Sequence, residues 1–403
     1  MKKSLAPTLG MALLMAALGA IGPFSIDTYL PAFQEIGESL AAGKLEVAQT
    51  LSIYLFTFGL MTLWHGALSD SFGRRRVILV GLVIYAVSTL GCAFSPNIAT
   101  LWAMRALQGL AAGAGMVVSR AIVRDLYSGA TAQRLMAQIA MMFAIAPAIA
   151  PMIGGWLLHW LHWRAIFIFL ALAAAVLWLV CLKRLPESLP EKRRQPFAIK
   201  PLLGGYKLVL ANLPFLLISL GIGVYFNGYF IYILSAPTFI REQLGLKETD
   251  FIWLFGPAMV CLIIGATLSA RLAGKVTQLR IVQLAFAIMT ASAIANFLVS
   301  WLIPESRILA VVPVALYNLG IALAMPVNTL RALDLFPANR RGMAASCQSF
   351  LQTSVGAAVA AFLVPHIWHA RMDMAWGMVI LLTFGGLLII GHFRLTPAHL
   401  EGE

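Results

Sequence analysis

The stretch Gly66-Ala67-Leu68-Ser69-Asp70-Ser71-Phe72-Gly73-Arg74-Arg75-Arg76 is polar and basic, and it joins two apolar runs at residues 47–68 and 77–95. Each run is close to the ~20 apolar residues that a helix needs to cross the hydrocarbon of a bilayer. Lipid offers the backbone no hydrogen-bonding partner, so both runs are predicted to be helices rather than strands. A tight basic loop between two spanning helices indicates a membrane protein.

The rest of the chain repeats this pattern. Of its 403 residues, 61% are apolar and 11% are charged, whereas soluble domains are about 45–50% apolar and about 25% charged. An ordinary soluble protein is therefore excluded. With the two runs above, the sequence predicts an all-α membrane protein of twelve transmembrane helices, the other ten runs being 8–30, 98–119, 135–158, 163–182, 213–240, 251–270, 280–303, 308–330, 343–365 and 374–393.

Lysine and arginine set the predicted orientation, because they concentrate in cytoplasmic loops. With the N-terminus inside, the six basic residues on the outer side are Lys44, Arg164, Arg241, Lys247, Arg307 and Arg371, and all others except Arg105 fall on the inner side. Both termini are therefore predicted to be cytoplasmic. The net charge of +13 is explained by this asymmetry, so no nucleic-acid partner is expected.

The sequence lacks the residue patterns of several kinds of functional site. The four cysteines lie in apolar runs without a close pair, which argues against disulfides and a zinc site. All seven histidines are predicted to lie at helix ends, and there is no HExxH motif or intramembrane aspartate pair. An enzyme, a metal and a cofactor are therefore not expected. No ATP-binding motif is present, so transport would depend on an ion gradient.

Two halves of similar size flank the polar connector at 186–210. His159-Trp160-Leu161-His162-Trp163-Arg164 recurs as His366-Ile367-Trp368-His369-Ala370-Arg371, and Arg120-Ala121 with Asp125-Leu126-Tyr127 recurs as Arg331-Ala332 with Asp334-Leu335-Phe336. These matches fall in equivalent loops at nearly equal offsets. They predict pseudo-symmetric six-helix halves at 1–185 and 211–403, with a substrate site between the halves near the midplane of the membrane.

Asp27 is the one acid that falls inside an apolar run. An ionised carboxylate at bilayer depth costs roughly 2.5–3.5 kcal/mol on insertion scales, so a functional role is the default hypothesis. Removal from water favours the protonated form of a carboxyl group, which suits Asp27 to exchange protons. The alternative is that the span ends at Pro31 and that Asp27 reaches interfacial water.

Arg105 is the second charge inside a span. It is predicted to lie about 10 Å deep and Asp27 about 12 Å deep from the same face, at 1.5 Å per helical residue. Arg105, Gln108 and Gly109 share one helical face, and Gly109 with Gly113 permits close helix contact. Arg105 could couple to Asp27, or it could bond only to backbone carbonyl groups.

The loop quoted at the start resembles the signature loop of the major facilitator superfamily. The segment Leu101–Arg105 with Gln108-Gly109 resembles the fourth-helix motif of drug:proton antiporters, and 146–155 resembles the antiporter motif of the fifth span. With Ile26-Asp27-Thr28-Tyr29-Leu30-Pro31-Ala32-Phe33, Ser119-Arg120-Ala121 with Arg124-Asp125-Leu126-Tyr127, and Leu185-Pro186-Glu187-Ser188, the whole chain resembles the bicyclomycin/chloramphenicol-resistance branch of bacterial multidrug efflux proteins. Some relatives carry a second acid two turns before the first-helix aspartate, where this chain has Gly19.

The resemblance implies the major facilitator fold and assigns roles to further residues. Asp70 could interact with the dipole of the helix that follows it, and Arg74 and Arg75 could pair with Asp125 or with other carboxylates at the inner rim, in contacts that form in one conformation and break in another. The predicted conformational gate is Gly66, Asp70, Gly73, Arg74, Arg75 and Asp125. The fifth span is predicted to be a kinked antiporter helix through Pro147, Pro151, Gly154 and Gly155; it could rock between the halves, or it could simply be bent.

A substrate cavity could be lined by polar and aromatic residues, although each could instead pack between helices: Tyr29, Tyr54, Phe58, Gln108, Asn227, Tyr232, Tyr317 and Asn318. The function that the resemblance implies is proton-coupled export of small amphipathic or weakly basic compounds by a monomer in the bacterial inner membrane. The alternative is proton-coupled export of one metabolite, such as a sugar, an amino acid derivative or a siderophore. A channel would need rings of like residues or oligomeric symmetry, and a receptor would rarely show the repeated halves.

Overall fold

The helices of the chain match its apolar runs. The computed structural model describes residues 9–127, 131, 135–136, 149–194, 196–337 and 340–396, and every regular element within these ranges is helical. Eleven helices in the described residues are long and apolar enough to cross a membrane, and each coincides with one of the predicted runs. Half of the remaining run, 135–158, lies outside the described residues, which include its positions 135–136 and 149–158.

By its internal contacts the chain divides into two compact units, residues 1–202 and 203–403. The first contains two 3-10 turns, Leu30–Ala32 and Glu191–Arg193. Its helices are α1 Leu9–Asp27, α2 Phe33–Leu40, α3 Lys44–Phe72, α4 Arg74–Ala93, α5 Ile98–Leu126, α6 at 149–160 and α7 Trp163–Arg184.

The second unit is entered through α8, which begins within the polar connector. Its helices are α8 Ile199–Leu210, α9 Leu213–Leu234, α10 Ala236–Thr238, α11 Ile252–Leu272, α12 Gln278–Leu302, α13 Arg307–Asp334, α14 Arg341–Ala358, α15 Val364–Ile367 and α16 Arg371–Leu395. Wider π-helical turns at Phe239–Gln243 and Val359–Leu363 follow α10 and α14, and a 3-10 turn at Glu248–Phe251 precedes α11.

Polar side chains outside the apolar runs start several spans. The Asn97 side chain accepts a hydrogen bond from the Thr100 backbone N–H at 2.9 Å, and Asn212 accepts one from Phe215 at the same distance. Such caps satisfy backbone donors that have no partner at the beginning of a helix. The spans therefore begin where the sequence changes from polar to apolar.

The first predicted span is divided, which the apolar pattern did not indicate. Pro31 has no N–H to donate to the Asp27 carbonyl, the bond that would continue α1. The Thr28 hydroxyl donates instead to the Phe24 carbonyl at 2.5 Å, and the chain continues through the turn at Leu30–Ala32 into α2. Asp27 is therefore the last residue of α1.

The repeated histidine–arginine motif makes equivalent contacts in the two units. Arg164, at the start of α7, donates to the Ser95 carbonyl in the α4–α5 connection at 3.3 Å. Arg371, at the start of α16, donates to the Ser306 carbonyl in the α12–α13 connection at the same distance. Each arginine joins the corresponding parts of its own unit, as expected for repeated halves.

Candidate functional site

Asp27 is buried at the point where α1 ends, with 4% of its surface exposed. Among the residues that the structure describes, none forms a hydrogen bond or an ion pair with its carboxylate. The side chain is buried, and none of the described residues is a partner that would hold it permanently ionised.

Arg105 is completely buried in α5 and lies between two tyrosine rings. Its guanidinium carbon is 4.4 Å from the ring centroid of Tyr29 and 4.3 Å from that of Tyr54. Its Nη1 donates to Gln108 Oε1 at 2.6 Å and to the Ser25 carbonyl at 3.3 Å, while Nε and Nη2 have no partner. No ion pair joins Arg105 to Asp27. The positive charge of Arg105 is therefore stabilised by two aromatic rings and by the backbone carbonyl of Ser25, which lies two residues before Asp27 in α1.

Hydrogen bonds extend this cluster to four helices. Gln108 Nε2 donates to Thr89 Oγ1 of α4 at 2.7 Å, and the Tyr54 hydroxyl of α3 donates to the Gly22 carbonyl of α1 at 3.0 Å. The Ser25 hydroxyl bonds to that of Tyr85, and the Tyr29 hydroxyl bonds to that of Thr50. A change in the position of Arg105 must therefore disturb α1, α3 and α4 together.

Two glycines allow backbones to approach closely around the cluster. A Cβ on Gly109 would lie 2.5 Å from the Tyr54 carbonyl oxygen, so α5 packs directly on α3. A Cβ on Gly154 would lie 1.7 Å from the Thr28 carbonyl oxygen, next to Asp27. Gly154 of α6 therefore fits against the break that follows α1. Pro151 and Gly155 are also buried in α6, whereas Pro147 lies outside the described residues.

Arg74 organises a second cluster at the other end of α3. Its guanidinium pairs with Asp70 at 2.6 Å and with Asp125 at 3.1 Å, and it donates to Ser69 Oγ at 2.5 Å. Ser188 Oγ donates to the same Asp125 oxygen at 2.9 Å. The loop between α3 and α4 is thus bonded to the end of α5 and to the connector.

Two of the contacts expected for this loop are made by other groups. Asp70 lies inside α3, and it is Glu187 that accepts hydrogen bonds from the backbone N–H groups of Arg74 and Arg75 at the start of α4, at 2.9 and 3.3 Å. Arg75 donates through Nη2 to the Leu182 carbonyl at 2.6 Å rather than to Asp125. Gly73 has a φ of +96°, and a Cβ there would lie 2.6 Å from Glu187, but a Cβ on Gly66 would meet no atom within 4 Å.

The predicted cavity residues are all buried, but several are engaged between helices. Tyr29, Tyr54 and Gln108 belong to the Arg105 cluster, and Phe58 stacks on Tyr54 with ring centroids 6.1 Å apart. In the second unit, hydrogen bonds run from Tyr317 to the Tyr225 carbonyl at 2.9 Å, from Asn318 to the Ala258 carbonyl at 2.8 Å and from Asn296 to the Tyr232 hydroxyl at 2.7 Å. Asn227 keeps an unpartnered Oδ1.

Sequence reasoning missed further residues. Ser25, Thr89 and Tyr85 complete the Arg105 cluster, but an isolated hydroxyl in an apolar run gives no signal of its own. In the sequence, Glu187 stands out only as part of a family motif. His65 was expected at a helix end, yet it lies inside α3 with 3% of its surface exposed. In the described ranges no group of three or more His, Cys, Asp or Glu residues could hold a metal ion.

Comparison with known proteins gives a consistent family. The family model described as Major Facilitator Superfamily matches residues 13–361. An uncharacterized MFS-type transporter, YdgK of Bacillus subtilis, is 32% identical over 87% of both chains. The bicyclomycin resistance protein homolog of Haemophilus influenzae is 27% identical over 97% of both chains, and multidrug resistance protein D of Escherichia coli is 28% identical over 94% of this chain and 93% of its own.

The fold is shared with solved transporter structures. The crystal structure of a D-xylose–proton symporter superposes with a TM-score of 0.74, covering 96% of this chain and 97% of the other at 15% sequence identity. At that identity the likeness concerns the fold alone.

Proposed function

Because the chain belongs to the major facilitator superfamily, we propose that it is a proton-coupled multidrug efflux transporter that exports small amphipathic or weakly basic compounds by alternating access. The superfamily consists of transporters rather than enzymes. Two relatives named for bicyclomycin and multidrug resistance support drugs as the substrate class. The proposed location is the bacterial inner membrane with both termini in the cytoplasm, where a monomer uses the proton gradient and needs no cofactor.

The observation that carries the proposal is the buried carboxyl group of Asp27, which has no hydrogen-bond or ion-pair partner among the described residues and lies beside the Arg105 cluster. A permanent charge at such a place is costly, so charge at Asp27 is best gained and lost together with a proton. Arg105 bonds to the Ser25 carbonyl on the same helix. Movement of α1 that follows proton exchange at Asp27 is therefore transmitted to α3, α4 and α5 through the guanidinium and its tyrosines.

In the proposed cycle the two clusters have different tasks. Asp27 takes a proton from the outer side while a substrate leaves, and it releases that proton to the cytoplasm before the next substrate binds. The contacts of Arg74 with Asp70 and Asp125 hold the inner ends of α3, α4 and α5 in one conformation and break in the other. Because Gly154 packs on the Thr28 backbone, α6 moves together with the segment that follows α1.

The test replaces Asp27 by asparagine. Everted membrane vesicles are given bicyclomycin, chloramphenicol or ethidium, and proton release is recorded. We expect Asp27→Asn to abolish substrate-dependent proton release, because asparagine keeps the shape of aspartate but cannot titrate, while the protein still inserts. Glu35→Gln, in α2, is the matched control, and we expect this variant to retain substrate-dependent proton release. Proton release that persists in Asp27→Asn contradicts the proposal.

The alternative, export of one metabolite, shares the coupling chemistry and differs in substrate range. Competition among the three compounds above would support a broad site. Transport of none of them, together with proton-coupled export of a sugar, an amino acid derivative or a siderophore, would favour the alternative.

A further inference from the structure

The polar connector contains a short helix, α8, that lies outside the spanning helices. It covers Ile199–Leu210 and ends three residues before α9 begins at Leu213. Three residue steps reach at most about 11 Å, and α9 is long and apolar enough to cross a membrane. The end of α8 is therefore held close to the membrane surface at which α9 begins.

One side of α8 is fixed to the protein. Its residues Tyr206 and Val209 are buried. A Cβ on Gly205 would lie 2.6 Å from Met343 Cε, in the first turn of α14, so α8 and the beginning of α14 are in direct contact. This packing fixes the rotation of α8 about its own axis, and it leaves the opposite side of the helix facing away from the second unit.

The outward side carries two lysines with a glycine between them. Lys200, Gly204 and Lys207 are spaced by four and three residues, so they share one helical face, and all three are exposed. A Cβ on Gly204 would meet no atom within 4 Å, so the space over the backbone between the lysines is open. Neither ammonium group forms an ion pair with a described residue. This row has both the charge and the room to receive an anionic group.

Aliphatic side chains border the lysine row. Ile199 and Leu203 are each 50% exposed and Leu208 is 49% exposed. Exposure of three aliphatic side chains to water on one short helix is unfavourable, whereas at a membrane surface they contact acyl chains. A lysine beside them can lay its methylene groups on apolar surface and keep its ammonium group among the phosphates. This combination fits a phospholipid better than a free phosphate ion.

The charges around the row also favour an anion. The sequence contains no acidic residue between Glu191 and Glu242. The beginning of α14, which packs on α8, adds Arg340 and Arg341, and Arg341 pairs with Asp334 at 3.0 Å. A negatively charged headgroup is therefore attracted to this part of the surface, and a cationic one is repelled.

We propose that the exposed face of α8 is a binding site for anionic phospholipids. The phosphate group of the lipid lies over Gly204 between Lys200 and Lys207, and its acyl chains contact the aliphatic side chains that border the row. In the orientation proposed above, these lipids belong to the cytoplasmic leaflet. The site goes beyond the proposed export, since binding requires neither a substrate nor a proton gradient. A bound lipid holds α8, and through Gly205 the first turn of α14, at the membrane surface.

The experiment uses the purified full-length protein in nanodiscs of phosphatidylcholine. A small admixture of phosphatidylglycerol with a photoactivatable group beside its phosphate is illuminated, and the labelled segments are identified by mass spectrometry. We expect labelling of residues 199–210, and a decrease of at least about tenfold in the double variant Lys200→Gln, Lys207→Gln, because each basic residue near a membrane surface adds about fivefold to binding. Glutamine retains the helix propensity of lysine.

A second double variant, Lys192→Gln with Arg193→Gln, is the matched control. It removes the same charge from exposed positions of the turn that precedes α8, and we expect it to leave the labelling of α8 unchanged. Equal losses in the two double variants would show a response to total charge alone, and they would overturn the site. If the α8 double variant does not fold, as judged by its thermal unfolding, Lys207→Gln alone is used, with an expected loss of about fivefold.

Two further comparisons decide between ligands. Photoactivatable phosphatidylcholine that labels α8 as strongly as phosphatidylglycerol would overturn the preference for an anionic headgroup. Inorganic phosphate that competes as well as unlabelled phosphatidylglycerol would assign the row to a free anion and overturn the lipid site. None of these measurements involves transport, so a negative result leaves proton-coupled export intact, and failure of the proposed function leaves this test unaffected.

Discussion

Arg105 carries a full charge in a completely buried place, and it is held there without a carboxylate. Two tyrosine faces, one amide oxygen and one backbone carbonyl share the guanidinium. A cation over an aromatic ring contributes about 0.5–2 kcal/mol, and more where water is excluded. Arg105 forms no ion pair with Asp27, so the acid can lose its charge without breaking a contact with this guanidinium.

Lysine should not replace arginine at this position. An ammonium group is compact, and it cannot face two rings while it bonds to both Gln108 and Ser25. We expect Arg105→Lys to insert normally and to lower proton-coupled export by about tenfold, the effect of losing about 1.4 kcal/mol. The measurement is initial export rate in vesicles with protein amounts matched by immunoblot. Arg164→Lys, on α7, is the control; equal rates for the two variants would mean that the tyrosine pair is dispensable.

At the scale of elements, the beginning of α4 depends on the connector that follows α7. Glu187 accepts hydrogen bonds from the first two backbone N–H groups of α4, and Gly73, at a φ of +96°, lets the carboxylate approach. A carboxylate at a helix N-terminus satisfies free donors and interacts favourably with the helix dipole. The family motif around Glu187 thus has a structural role that its position in the sequence does not indicate.

Removing this cap should loosen α4. We expect Glu187→Ala to lower the stability of the purified protein by about 1 kcal/mol, the usual contribution of a helix cap. Thermal unfolding in detergent is the measurement. Glu191→Ala is the control, because the Glu191 side chain is 86% exposed and Arg194 is its one ion-pair partner among the described residues. Equal melting curves for the two variants would show that the cap at Glu187 contributes nothing.

For the whole molecule, the sequence predicted the spans well and the contacts poorly. The apolar runs alone located eleven helices, most of whose ends they gave to within a few residues. This works because every span must cross the same thickness of hydrocarbon. Asp27 and Arg105 were recognisable because charges are rare inside spans. The division of the first span, the tyrosines around Arg105 and the cap at Glu187 depend on residues far apart in the chain. The types of residues along the chain do not reveal which of these distant residues lie close together in the fold.

The predicted orientation can be tested across the whole chain. We expect Lys192→Cys to react with a membrane-impermeant maleimide only from the cytoplasmic side, and Lys247→Cys only from the outer side, because basic residues concentrate inside. The wild type is the background control, since three of its four free cysteines are buried and the fourth is partly so. Reaction of Lys192→Cys in intact cells would reverse the assigned topology.

The bond between Glu187 and α4 also has a consequence for biosynthesis. Arg74 and its acceptor are 113 residues apart, so the ribosome completes α4, α5 and α7 before the carboxylate exists. Until then the start of α4 in the nascent chain has no cap from Glu187. The contact between the α3–α4 loop and the connector therefore forms only when translation has passed Glu187, and a truncated message that stops at Arg184 would yield α1 to α7 but leave the start of α4 without its carboxylate.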